Sequence, residues 1–105
     1  MLITTTEVQL LRNDVQVLGM VRGNIVLSRH IGKDFMAGMR GIVGGEVKQY
    51  TEMSNEARDV AVDRMVQEAA RLGADEIVGV RFAAEPVRED MVEILAYGTA
   101  IKNQI

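Results

Sequence analysis

Residues 15–28, VQVLGMVRGNIVLS, alternate with a period of two. One parity is Val15, Val17, Gly19, Val21, Gly23, Ile25 and Leu27, wholly apolar or glycine. The other is Gln16, Leu18, Met20, Arg22, Asn24, Val26 and Ser28, and it is mixed. The pattern predicts a long strand with one buried face. Gly19 and Gly23 mark bulges or points where another backbone comes close. Before this strand, residues 2–6 predict a short strand, and the polar stretch 7–14 predicts a turn at Asn13-Asp14.

The period then lengthens. Ile31, Phe35, Met39 and Ile42 stand at helical spacing, so residues 31–43 predict a short helix, weakened by Gly32, Gly38 and Gly41. A second and much longer helix follows Gly45, with Glu46 in its first turn; a start near Ser54 is the alternative. Its buried stripe is Val47, Tyr50, Met53 or Ser54, Ala57, Val60 with Ala61, Met65, Ala69 and Leu72. Arg71 falls in the last turn, and Gly73 suits the left-handed residue that ends a helix.

Two further strands close the chain. Residues 76–85 place Val78, Val80 and Phe82 on one face and Ile77, Gly79, Arg81 and Ala83 on the other. Residues 91–102 place Val92, Ile94, Ala96, Gly98 and Ala100 on one face and Leu95, Tyr97 and Ile101 on the other. Pro86 marks the connection between them. The predicted order is β-β-α-α-β-β, an α+β class with an antiparallel sheet packed on one long helix, in a single domain over residues 1–105.

This pattern has a geometric consequence. A helix from Glu46 to Leu72 is about 40 Å long, whereas a compact domain of this length has a radius of gyration of about 13 Å. One helix covers one face of the sheet. The other face keeps Leu18, Met20, Val26, Leu95, Tyr97 and Ile101. Apolar surface of that kind marks an interface, so the chain is expected to assemble with itself, in a ring.

Composition narrows the chemistry. The net charge is −3, against non-specific nucleic-acid binding. There is no Cys, which removes disulfides, thiolate metal ligands and thiol nucleophiles. No apolar run approaches the roughly 18 residues of a membrane span, and the first residues lack a signal-peptide pattern, so the expected location is cytoplasmic. His30 is the single histidine; with Asp34 it forms an i,i+4 pair that could face one metal ion. Zinc and copper sites draw on more such ligands, so a metal here would need copies of His30 brought together by symmetry, or carboxylates such as Asp34 to complete the shell.

The segment AGMRGIVGG has neither the Gly-Lys-Ser/Thr of a phosphate loop nor the spacing of a dinucleotide fingerprint. Gly44 and Gly45 nevertheless precede a helix start, where anions are favoured, and Arg40 stands nearby; with Arg22 these are the anion-binding candidates. The same glycines also suit close packing against a neighbouring subunit. Ser28 and His30, two apart, have no assignable acid, so no triad is defined. Glu85, Glu89 and Asp90 read as solvated carboxylates at a turn.

The pieces ITTT at 3–6, LGMVRGNIVLS at 18–28, KDFMAGMRGIVGG at 33–45, LGADEIVGVRF at 72–82 and Tyr-Gly-Thr-Ala at 97–100 are similar to those of the YbjQ-like family of small bacterial and archaeal proteins, catalogued under a heavy-metal-binding label. The resemblance covers essentially the whole chain. It implies a dodecin-like α+β subunit, an antiparallel sheet wrapped on one long helix, and a homopentamer; it implies no assigned activity. Dodecins bind flavin between aromatic rings, but this chain has no Trp, so flavin does not follow from the fold. Together these observations predict a non-enzymatic homo-oligomeric protein that binds a small ligand or metal ion. The alternative is an enzyme acting on a small anionic substrate at a subunit interface.

Overall fold

A computed structural model describes residues 1–28, 48–89 and 91–104. The short helix expected over 31–43 lies outside these residues. The elements are β1 (Leu2–Ile3), a 3-10 turn (Val8–Leu11), β2 (Val15–Ser28), α1 (Lys48–Arg71), β3 (Glu76–Arg88) and β4 (Met91–Asn103). The sheet order is β1-β3-β4-β2. The class is α+β as expected, but the sheet is mixed, not antiparallel throughout. β3 and β2 each pair antiparallel with β4, while β1 runs parallel to β3. The first strand is two residues, not five; Thr4 and Thr6 continue bonding to β3 through Gly79 and Val80 without forming regular strand.

α1 ends where its sequence says it should. The amide of Ala74 donates to the carbonyl of Ala69 (3.1 Å), and that of Gly73 donates to Ala70 (3.0 Å). This paired arrangement needs a left-handed residue at Gly73, whose φ is +79°. Lys102 Nζ donates to the Gly73 carbonyl and satisfies one more orphan acceptor at that end. Residue 72 falls one position past the helix, and Leu72 is exposed, not the last member of the buried stripe. Ala57, Ala61, Met65 and Ala69 do form that stripe.

The helix lies on β2 and β4 and packs closely because β2 carries Gly23. A Cβ there would land on the backbone of Ala61 and Met65. The small faces of Gly23, Ala61, Ala96 and Ala100 thus set the helix against the sheet, with Val21, Met65, Ile77 and Val80 filling the core.

Two bulges change the faces read from strict alternation. Between Val17 and Gly19 the register with β4 slips by one residue, and Leu18 packs against the helix-side core instead of the opposite face. Between Val78 and Arg81 the register slips again. Gly79 has φ +61°, which a β-carbon would resist. Ile77 and Val80 therefore share the helix side, and Val78, on the opposite side, is parted from Val80. Pro86 is not a connection. It lies within β3, opposite Val92, on a strand edge where its missing N–H leaves no bond unmade.

Ile101 and Val78 point away from the helix and are nonetheless fully buried. At this end Arg12 Nη2, just after the 3-10 turn, donates to Glu76 Oε2 (3.2 Å) and Asn103 Oδ1 (2.7 Å), and the turn contacts β2. The N-terminal segment accordingly closes part of the second face within one chain, and Ile101 is removed from the apolar surface expected there.

Further along the sheet the cover ends. None of residues 81–89 or 91–95 is buried, and Phe82 is 50% exposed. The radius of gyration is 16.9 Å and the long dimension is 55 Å, against about 13 Å for a compact chain of this length. The long strands extend beyond the region that the helix and the N-terminal segment protect.

Candidate functional site

The polar side chains of the second face fall in rows set by the strand register. Tyr97 of β4 stands opposite Arg22 of β2 on one side and Arg81 of β3 on the other. Directly paired residues point to the same side of a sheet. Strands are spaced by about 4.8 Å, so the two arginine backbones lie about 10 Å apart with a phenol between them. All three side chains are exposed. Arg81 Nη1 donates to the carbonyls of Thr5 (3.1 Å) and Val80 (2.9 Å), which anchors its guanidinium beside the N-terminal segment. No partner for Arg22 occurs among the described residues. Two guanidinium groups flanking a phenolic hydroxyl form a donor-rich surface suited to an anion of several oxygens.

The neighbouring rows differ in character. Asn24, Leu95 and Ala83 make the next row, and Val26, Glu93 and Glu85 the one after it. Asn24 Nδ2 donates to Glu93 Oε2 across the diagonal (3.0 Å), which fixes that carboxylate on the same face. Glu93 and Glu85 are directly paired like charges, an arrangement that is unfavourable unless a cation or a partner answers it. On the opposite edge of β2, Arg64 of α1 donates to the Asn24 carbonyl (2.6 Å), tying helix to strand.

Of the site residues expected from sequence, Arg22 is the one described, and it lies in this row. Arg40, Gly44 and Gly45, proposed for anions, and His30 and Asp34, proposed for a metal, lie outside the described residues. Sequence reasoning missed Arg81 and Tyr97 as companions of Arg22. The signal was present in the alternation of β3 and β4, but the Gly79 bulge sets which residue of β3 meets Tyr97, and that register is not written in either strand alone.

Among the described residues no three His, Cys, Asp or Glu side chains converge as metal ligands. The carboxylate pair Glu85–Glu93 has no third donor there, and hard carboxylate oxygens are a poor match for a soft heavy metal. The described residues therefore do not fit such a centre. No helix among them is long and apolar enough to cross a membrane.

A mixed four-stranded sheet under one long helix, with a basic row on the open face, defines the class as α+β. The chain belongs to the YbjQ family: the family model, described as "Putative heavy-metal-binding", matches residues 1–104. It is 51% identical over 102 residues to a UPF0145 protein of Shewanella frigidimarina, covering 97% of this chain and 95% of that one. It is 47% identical over 102 residues to a UPF0145 protein of Thermotoga maritima, covering 97% and 96%. Among solved structures, a protein of the DUF74 family from Pediococcus pentosaceus, titled as of unknown function, superposes with a TM-score of 0.65. That likeness covers 98% of this chain and 97% of the other at 20% identity, and it supports the fold alone.

Proposed function

We propose that this chain is a non-catalytic, homo-oligomeric binding protein, a dodecin-like subunit assembling as a pentamer, whose ligand is a small oxyanion held by Arg22 and Arg81 across Tyr97. The observation that carries the reading is the register that puts two guanidinium groups on either side of one phenol on an exposed sheet face. Binding, and not turnover, is favoured because no polar or charged side chain among the described residues is buried. Chemistry at a carboxylate or imidazole usually relies on a desolvated setting to tune its proton affinity. Arg40 and the Gly44-Gly45 helix start are further anion contacts in this reading, and His30 with Asp34 remains the place to look for a metal.

Titration calorimetry with inorganic pyrophosphate, phosphate and citrate, and separately with zinc, nickel and copper, tests it. A charge-assisted hydrogen bond contributes about 1.5–3 kcal/mol, so Arg22→Ala should weaken oxyanion binding by about tenfold or more. Heat with metals and none with oxyanions would replace this reading with the metal one. Equal affinity in wild type and Arg22→Ala would remove the row from the site.

A further inference from the structure

On the helix side of the sheet, β3 is left bare. α1 lies over β2 and β4. Phe82, Ala84 and Pro86 are paired with Ala96, Ile94 and Val92, so they share the helix face. Phe82, Ala84, Pro86 and Val92 are nevertheless exposed. A helix with its side chains is about 10 Å across, so its flank stands over this strip as a wall, and the strip is the floor of an apolar groove. Arg64 reaches β2 from one flank of α1. At about 100° per residue the other flank carries Arg58, Val62 and Val66. Val62 and Val66 pack against the core. Arg58 is exposed, donates to Asn55 Oδ1 (3.4 Å) and has no ion pair among the described residues.

A second apolar feature stands at the opposite end of the sheet. Residues i and i+3 of a 3-10 turn eclipse each other, so Val8 and Leu11 share one side of the turn. They are 65% and 81% exposed and form a knob. Around it the acids Glu7, Asp14 and Glu76 outnumber the cation Arg12. We propose that this knob seats in the β3 groove of a second copy, head to tail.

The knob cannot serve its own groove. Arg12, just after the turn, is held by Glu76, and Glu76 lies about 26 Å along β3 from Ala84 at about 3.3 Å per residue. Shape and charge favour knob on groove over like on like. A convex turn fills a step that a second step leaves empty, and the acidic rim of the knob meets Arg58 on the groove wall. The two patches are different, so the contact repeats from copy to copy and closes a ring when the rotation between neighbours allows it. It rests on the homo-oligomeric reading above and supplies that reading with its surfaces. The Arg22–Tyr97–Arg81 row takes no part in it.

The test is sedimentation equilibrium on wild type, Leu11→Glu, which spoils the knob, Phe82→Ser, which spoils the groove, and Arg58→Glu, which reverses the charge of its wall. Leu11 and Arg58 are exposed, so their variants keep the fold even if Phe82→Ser does not. Each variant should raise the dissociation constant of the contact, Leu11→Glu and Phe82→Ser by about tenfold or more. An equimolar mixture of Leu11→Glu and Phe82→Ser keeps one intact knob and one intact groove per pair. It should form a heterodimer of twice the 11.6 kDa monomer and grow no further. The chain has no Cys, so the double variant Leu11→Cys with Ala84→Cys should give a ladder longer than a dimer with a short bis-maleimide, and neither single variant should cross-link. Leu11→Glu assembling like wild type, or a single-cysteine chain joining to its own copy, overturns the proposal and leaves the homo-oligomeric reading standing. A wild type that is monomeric throughout overturns both.

Discussion

Gly23 shows how a single missing side chain positions a whole element. Adding one methyl group there drives it into the backbone of Ala61 and Met65, and neither a helix backbone nor a fully buried Met65 can retreat cheaply. Gly23→Ala is expected to destabilise by about 1–3 kcal/mol, seen as a lower urea midpoint with unchanged slope. Met65 fills the space beneath the same contact, and Met65→Ala should be costlier, about 2–5 kcal/mol, because it leaves a cavity. Leu72→Ala is the control: its side chain is 47% exposed, and the change should stay within about 0.5 kcal/mol. The spacing of the helix stripe identified Met65 and Ala69 from sequence. It overextended to Leu72 because periodicity carries no information about where the sheet beneath the helix ends.

At the scale of elements, the ends of α1 and the bulges of β2 and β3 tell opposite stories about legibility. The stop at Gly73 is a local event among Ala69, Ala70, Gly73 and Ala74, and Leu-Gly-Ala after an apolar stripe announces it. Gly73→Ala forces a β-carbon into φ +79°. It should lower stability by about 1 kcal/mol, measurable by thermal unfolding as a drop of about 4–8 °C. The bulges are non-local. Whether Leu18 turns toward the helix depends on how β2 slides against β4, and whether Arg81 meets Tyr97 depends on the bulge at Gly79, whose amide donates to the Thr6 carbonyl of the N-terminal segment. Strict alternation placed Leu18 on the wrong face for that reason, while the same alternation beyond the bulge placed Val21, Gly23, Ile25 and Leu27 correctly with the helix. Pro86 was misread as a break because its sequence context does not show that β3 is an edge strand there. Replacing it with Thr, which suits a strand equally well, should change stability by less than about 0.5 kcal/mol.

At the scale of the whole molecule the chain is extended, with a radius of gyration of 16.9 Å against about 13 Å for a compact chain of this length. The core occupies one end of the sheet, where the helix on one side and the N-terminal segment on the other exclude water. Beyond Val80 and Ala96 no described residue of β3 is buried, and none of β4 on that side, although Phe82, Val87 and Val92 all lie there. The expectation of an unsatisfied second face came from the same residues, and the structure narrows it: Ile101 and Leu18 leave the list, Met20, Val26, Leu95 and Tyr97 stay. The proposed self-association would draw on the hydrophobic effect acting on what remains. Sedimentation velocity of the wild-type chain at micromolar concentration measures this most directly. The account predicts a species heavier than the 11.6 kDa monomer, shifting toward smaller forms as the chain is diluted. A single monomeric boundary across the whole concentration range would contradict it.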